Sequence, residues 1–574
     1  MTTTAQTAQT SSLTPVKEPL NAGLSGRRRL LIVVLVLIPV FVGSLDLTIV
    51  SAILPEVLTR LSIPIDTNLG LAAWAVTGYL LAYTVSMMMM GRLSDMVGRR
   101  EAFLICLAIF VGGSLWVATA HLWPTQLLND FARRVLGQRP DLNQLTLLAV
   151  IIGRVVQALG AGAIVPVSLA LVADLYPPDR RAGPVGMVGS VDTLGWVLGH
   201  LYGGLMVNFF QQNGETIRQM LLGTGLNLPA PDWRTLFFFN VPLGLFAFVL
   251  MAFALRKVQH PVGKGRFDVI GAVLISSALV MLVLGFGGNV DVTGATSLSS
   301  LDQQSQALPY NPALLAAAAG VFVLFLLWEW RSQYPLLELH LFRKRNISAA
   351  TVTNLLVGFC LMLGLVSVPL LVNLRADDAS AVSIARAAER AGILLSALTI
   401  PMALAALPGA WLAERRGYRT ATSLGLGLAA IGFFLAGTTW RMDTPELTMA
   451  AHMVLVGVGL GLTIAPIGTV VINEVGEDQR GVASALVLIM RLIGMTVAIS
   501  SMTTFALNRV NLLVGLARDS FLPGLTAEEI QRLSTQAYID SGVQVIGEML
   551  LIGMVACLLA VIPALLLRMG KENT

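Results

Sequence analysis

The chain has 574 residues, of which 55% are hydrophobic and only 12% charged, with a formal net charge of +5. Soluble domains carry about 25% charged residues. Thirty-eight Lys and Arg with 33 Asp and Glu are too few to coat the several cores that a soluble chain of this length would build. This excludes an ordinary cytosolic enzyme, a disordered chain and a disulfide scaffold, and leaves lipid as the solvent. The basic residues lie in short clusters between apolar runs. That is charge flanking membrane spans rather than a nucleic-acid surface. Cys106, Cys360 and Cys557 sit inside apolar runs, as packing residues do. The five histidines make no close pair, so no metal site is expected.

A bilayer-spanning helix needs roughly 20 apolar residues. In chain order, such segments are 30–54, 70–90, 102–121, 146–175, 185–208, 236–255, 269–289, 311–330, 347–373, 393–413, 420–439, 447–473, 483–508 and 543–567. They are too long and too uniformly apolar for barrel strands, so the class is an all-α membrane protein. Arg27-Arg28-Arg29 precede the first segment, as in a signal peptide. No small-residue cleavage site follows and the run holds Asp46, so a retained helix is expected. With the N-terminus inside, the lysines (Lys17, Lys257, Lys264, Lys344 and Lys571) all fall on the cytoplasmic side, which supports N-in, C-in topology. Arg133, Arg134 and Arg139 run against that trend in an outer loop, 121–145. A second outer segment, 509–542, carries a Pro523-Gly524 break and a capping-box signature, Thr526 to Glu529. Ile530, Leu533 and Ala537 follow on one apolar face. The last two core helices are therefore expected to extend beyond the bilayer as a hairpin.

The two ends of the chain repeat. Gly91 to Arg100 matches Ala410 to Arg419, aligning Asp95 with Glu414. Pro166, Asp174 and Arg180 match Pro466, Glu474 and Arg480. The expected layout is a cytoplasmic tail at 1–29, a six-helix half at 30–255, linkers with two extra helices at 256–346, a second six-helix half at 347–567 and a cytoplasmic tail at 568–574. The shift in register between the two matches fits an insertion in the 121–145 loop.

Several motifs resemble the major facilitator superfamily, specifically its fourteen-helix drug:proton antiporter branch. They are Leu45-Asp46-Leu-Thr48 to Pro55, Gly91 to Arg100, Gly153-Arg154-Val-Val-Gln157 to Gly160, and Gly195-x-x-x-Gly199-His200-x-x-Gly203-Gly204. Further matches are Asp232-Trp233-Arg234 to Gly244, Phe267-Asp268 to Gly271, and Trp328-Glu329 to Phe342. Met96 replaces a usually basic residue, and His200 stands where the helix-5 motif has Pro. The resemblance implies a coupling role for Arg154 and an antiport mechanism. A lipid-export branch of the superfamily resembles the outer hairpin, which keeps a lipid substrate open.

Charges inside spans cost about 2.5–3.5 kcal/mol each at the bilayer centre, so Asp46, Arg154, Asp192, Arg491 and Glu548 are functional candidates. Asp46 lies roughly 24 Å along the first helix and is expected in the outer half, facing a central cavity. It reads as proton carrier or cation contact, or as a helix-packing hydrogen bond. Arg154 cannot lose its proton. It either tunes a nearby carboxylate or forms a structural salt bridge. Asp192 follows Arg181 at the same spacing as Arg491 follows Arg480, so the two share a depth in opposite halves. They are expected to meet when the cytoplasmic side closes. His200 has a ring that suits proton handling, or it is structural. Asp95, Arg99, Arg100 and Glu414 are expected gate residues, with a positive-inside anchor as the alternative. Gly195, Gly199 and Gly203 share a face with Asp192, with Gly204 beside them, a stripe for close helix packing.

The expected activity is proton-coupled export of hydrophobic or amphiphilic compounds by rocking of the two halves, with export or flipping of lipid as the alternative. The proton is the coupling ion and no cofactor is expected. Membrane lipids are partners, nucleic acid is not, and an extracytoplasmic accessory protein is left open. No GxxxxGK[ST], HExxH or GxSxG occurs, which argues against ATP-driven transport and an intramembrane enzyme. A non-transporting receptor is the remaining rival. The expected location is the cell membrane, multi-pass.

Overall fold

A computed structural model describes residues 24–63, 65–135, 137, 140–225, 229–258, 266–286, 311–375, 381–519, 521 and 526–568. The first half contains α1 (Gly26–Arg60), α2 (Ile65–Val97), α3 (Arg99–Ala118), α4 (Trp123–Val135), α5 (Leu142–Leu175), α6 (Ala182–Gly223) and α7 (Trp233–Ala254). A linking pair follows, α8 (Val269–Gly285) and α9 (Pro312–Arg331). The second half contains α10 (Arg345–Leu374), α11 (Ala381–Arg416), α12 (Tyr418–Thr439), α13 (Glu446–Glu474), α14 (Arg480–Asp519) and α15 (Ala527–Ala564). Each apolar segment expected from the sequence overlaps one of these helices over most of its length, with 287–289 outside the described residues. Eleven helices are long and apolar enough to cross a membrane, and Val269–Gly285 is apolar but shorter.

Packing repeats between the halves. In the first, α1 lies on α6, α2 and α3 on α5, and α3 on α7. In the second, α10 lies on α14, α11 and α12 on α13, and α12 on α15. The halves meet where α6 packs on α11 and α13, and where α14 packs on α2 and α5. The insertion expected at 121–145 is α4, whose Arg133 and Arg134 sit on an exposed surface, which explains why they escape the charge trend.

One end of the bundle holds the start of α1, the α2–α3 turn and the starts of α6, α10 and α14. We call it the proximal face. The α9–α10 strap is anchored there: Glu329 accepts from the Leu336 and Leu337 amides at 3.2 and 3.4 Å, and Gln479 donates to Glu338 at 2.6 Å. At the other, distal end, α14 runs for 40 residues, about 60 Å, against a hydrocarbon thickness of about 30 Å. The α15 start carries the expected capping box, with the Glu529 amide donating to Thr526 Oγ1 and the Thr526 amide to Glu529 Oε2. Leu513, Ala517, Phe521, Leu533 and Ala537 line a groove of about 390 Å³ between the two extended helices. Pro523-Gly524 lies outside the described residues.

Candidate transport and gating site

Three layers of buried charge run inward from the proximal face. In the outermost, the Asp95 carboxylate accepts from the Gly481 and Val482 amides at 2.9 and 3.1 Å. These are orphan donors at the start of α14, where the helix end attracts an anion. Asp95 also pairs with Arg99, which is fully buried. Arg99 reaches Asp174 at 3.2 Å and donates to the Glu477 carbonyl at 3.0 Å. Arg480 from α14 pairs with the same Asp174. Thus α2, α3 and α5 of one half hold the start of α14 of the other.

The pseudo-equivalent corner is built differently. Arg181, just before α6, donates to Asn473 Oδ1 and to the Tyr176 carbonyl, both at 2.8 Å. Asn473 donates to Tyr418 Oη at 3.0 Å. Burial and the neighbouring Arg480 charge push Arg181 down to about 10, so it stays protonated at neutral pH. Glu414, expected in the gate by its alignment with Asp95, is exposed and joins no ion pair among the described residues. Tyr418 stands where the first half has Arg99, so no guanidinium draws that carboxylate inward. Arg100 also lies outside the inter-half network, pairing with Glu101 at 3.3 Å and donating to the Ala252 carbonyl at 3.4 Å.

The second layer is a single ion pair across the halves. Arg491 Nη2 lies 2.9 Å from Asp192 Oδ2, with both side chains buried. Ser44 Oγ of α1 donates to the other carboxylate oxygen at 2.7 Å. The glycine stripe makes this contact possible. A Cβ at Gly195 would come 2.7 Å from Ser44 Cβ, and one at Gly203 would come 2.9 Å from the Ile49 carbonyl; at Gly199 it would meet the Leu45 carbonyl. Gly204 faces open space. His200 is on α6, and its side chain lies outside the described residues.

The third layer lies wholly within the first half. Asp46 pairs with Arg154 and accepts from Asn240 Nδ2 of α7 at 3.0 Å. Arg154 also donates to the Asp46 carbonyl at 3.0 Å and to Gln157 Oε1 at 2.7 Å, and Gln157 donates to Ser114 at 2.8 Å. The guanidinium sits 3.8 Å from the Tyr79 ring centroid. Asp46 therefore does not face the central cavity as expected. It turns into the first half because α5 and α7 supply the donors that its charge requires once water is gone. Glu548, midway along α15, is held by Arg509 at 2.9 and 3.0 Å.

Asp174, Arg480, Arg181, Asn473 and Tyr418 belong to the two proximal corners, and Ser44, Gln157 and Asn240 to the inner layers, although none was among the expected site residues. Asp174 was visible only as a repeat marker, and Arg480 as a repeat marker and as the start from which the depth of Arg491 was read. Gln157 and Asn240 stand inside the quoted motifs, as neutral polar residues on apolar helices, but nothing in the sequence pairs them with Arg154 and Asp46.

Two halves with matching helix packing, the first carrying the extra helix α4, enclose the buried charge layers, and with the family and relatives that follow they mark a multi-pass membrane transporter, not an enzyme. The chain belongs to the major facilitator superfamily, whose family model matches residues 36–499. It is 31% identical over 552 residues to a protein of Mycolicibacterium smegmatis named a triacylglyceride transporter, covering 93% of this chain and 86% of that one. It is 29% identical over 549 residues to the triacylglyceride transporter of Mycobacterium tuberculosis strain H37Rv, covering 93% of each. Among solved structures it resembles the proton:xylose symporter XylE, with TM-score 0.52 at 15% identity, covering 93% and 95% of the two chains. The human organic anion transporter MFSD10 gives the same score at 14% identity, covering 93% of this chain and all of the other.

The closed proximal corner leaves no room for a side chain at one crossing. A Cβ on Gly91 would lie 2.7 Å from the Gly481 carbonyl and 3.0 Å from Ala485 Cβ. Overpacking costs about 1–3 kcal/mol, so Gly91→Val is expected to shift the protein about tenfold or more toward a proximally open form. A cysteine placed at buried Ser484 should then label correspondingly faster with a maleimide. An unchanged labelling rate would show that the crossing does not limit opening.

Proposed function

We infer that the chain is a proton-coupled secondary exporter of a lipid-like molecule, with fourteen spans and both termini in the cytoplasm, so that the proximal face is cytoplasmic. The observation that carries the transport reading is the Asp192–Arg491 pair. A lone ion pair at mid-depth between two halves closes one face and is undone by one proton on the carboxylate. Asp46 is a second buried acid, held by the fixed charge of Arg154, where a proton and the Arg154 cation compete for one carboxylate. Inward proton flow would then open the cytoplasmic face and drive outward movement.

The substrate class is supported by the names of relatives matching along nearly the whole chain, and by the groove between the extended α14 and α15. Multidrug efflux, which the motif resemblance implies, is the second reading. Both are tested in proteoliposomes under an imposed pH gradient, with a fluorescent triacylglyceride and a lipophilic cation dye assayed side by side. Gradient-dependent movement of the triacylglyceride alone is expected. Movement of the dye alone would reverse the order, and movement of neither would remove the exporter reading.

A further inference from the structure

We propose that α4 is an interfacial helix that binds the distal leaflet, with its apolar stripe among acyl chains and its two arginines on the phosphates of anionic lipid. The inference rests on the membrane-spanning fold and not on the transport reading. α4 joins the distal ends of two spans, α3 and α5. Trp123, Leu127, Phe131 and Val135 recur every four residues along it, so they spread over a sector of about 120°. All four are exposed, between 44% and 64%. A second sector packs on the protein: Pro124, Thr125 and Ala132 are buried, and Thr125 Oγ1 donates to Thr146 Oγ1 of α5 at 3.0 Å. A third is polar and exposed, with Gln126, Asp130 and Arg133. A helix lying between protein and water needs only the last two sectors. Four large apolar side chains left uncovered on one side mark an interaction surface.

Depth and charge name lipid as the occupant. The Trp123 ring meets the Trp116 ring of α3 edge-on, with centroids 4.8 Å apart. The Trp116 indole N–H donates to the Ala149 carbonyl of α5 at 2.9 Å. Ala149 lies about 10 Å along α5 from its distal end. The start of α4 is thus fixed inside the end of a span, where Leu115 of α3 and Leu142 and Leu148 of α5 are exposed as well. On membrane-spanning helices such side chains face lipid, and tryptophan is enriched at the boundary with water. The charge is basic. Arg133 and Arg134 close the helix. By helical angle Arg134 falls between Trp123 and Leu127, so its stem can lie along the stripe while the guanidinium reaches up to a phosphate. Its pair with Asp130 is loose, at 3.8 Å with side chains 80% and 62% exposed, and an anion can displace it. A basic polar side beside a stripe with Trp, Phe and Leu is what holds a helix in the plane of an anionic membrane surface.

The test places a bimane label on Leu127→Cys, in the stripe, and on Gln126→Cys, in the polar sector. Both positions are exposed, and the three native cysteines are buried. In phosphatidylcholine vesicles containing lipid brominated on its acyl chains, quenching at 127 is expected to exceed that at 126 severalfold. Equal quenching at the two positions would overturn the proposal. A disulfide between two Leu127→Cys chains would also overturn it, naming a second copy as the occupant. The lipid is then varied. Two arginines less Asp130 leave one net positive charge, worth about fivefold in local enrichment of an anionic lipid. Brominated phosphatidylglycerol, mixed at low fraction into phosphatidylcholine, should therefore quench position 127 as if about fivefold more abundant than brominated phosphatidylcholine at the same fraction. The preference should disappear when Arg133→Gln and Arg134→Gln are combined. No preference in the parent, or an equal one in the combined variant, would overturn the anionic contact. Neither readout needs a transported substrate. A failed transport assay beside the expected quenching would sink the exporter reading and leave this one standing.

Discussion

Arg154→Ala is expected to abolish transport and to destabilise the first half severely. Arg154 is fully buried, and it supplies the only cation paired with Asp46 among the described residues. Removing it strands the Asp46 carboxylate with Asn240 as its remaining donor. It also strips Gln157 of a donor and Tyr79 of the guanidinium against its ring. Breaking a buried pair by deleting one partner costs about 3–5 kcal/mol. Arg154→Lys should recover little, because one ammonium cannot bridge Asp46 and Gln157 as the planar fork does. Asp46→Asn should be milder for stability, since Arg154 keeps the Asp46 carbonyl and Gln157 as acceptors. Thermal unfolding in detergent checks the order: Arg154→Ala lowest, Arg154→Lys close to it, Asp46→Asn nearest the parent. A parent-like Arg154→Ala protein would mean that the ion pair does not hold Asp46.

Arg491→Ala is the second large effect, and it should act on conformation more than on folding. With Arg491 gone, Asp192 is a buried charge held by Ser44 beneath a closed face. The same scale of about 3–5 kcal/mol applies, but here the protein has an escape: opening the proximal face lets water reach the carboxylate. The cysteine at position 484 should therefore label faster by a factor on the order of a hundred to several thousand, by the tenfold-per-1.4 kcal/mol conversion. The double variant Asp192→Asn with Arg491→Gln replaces the ion pair by a neutral hydrogen-bonding pair and should restore most of the slow labelling. If the double variant labels as fast as Arg491→Ala, the stranded charge is not what opens the face.

The charge arithmetic made the helices legible, because lipid permits so few patterns. The Asp192–Arg491 contact was legible too, since two long helices that start at matched arginines place equal spacings at equal depth. Asp46 was read onto the wrong face for a physical reason. Helical periodicity says which residues share a side but not which neighbour lies there, and its partners Asn240, Gln157 and Arg154 come from two other helices. Glu414 failed differently. The repeat carries residues by position, but its chemistry depends on the partner. Tyr418 in place of Arg99 leaves Glu414 exposed, while Asn473 serves Arg181. The helical insert α4 was read as a loop because it is short and amphipathic, without a long apolar run.

One proton on Asp192 is expected to govern the lock between the halves. Its most direct measurement compares Asp192→Asn with the parent protein in proteoliposomes, following a fluorescent triacylglyceride both under an imposed pH gradient and in gradient-free exchange. The amide cannot titrate, yet it can still accept from Ser44 and Arg491. The expected result is gradient-free exchange retained and the response to the gradient lost. A gradient response equal to the parent's would contradict the claim.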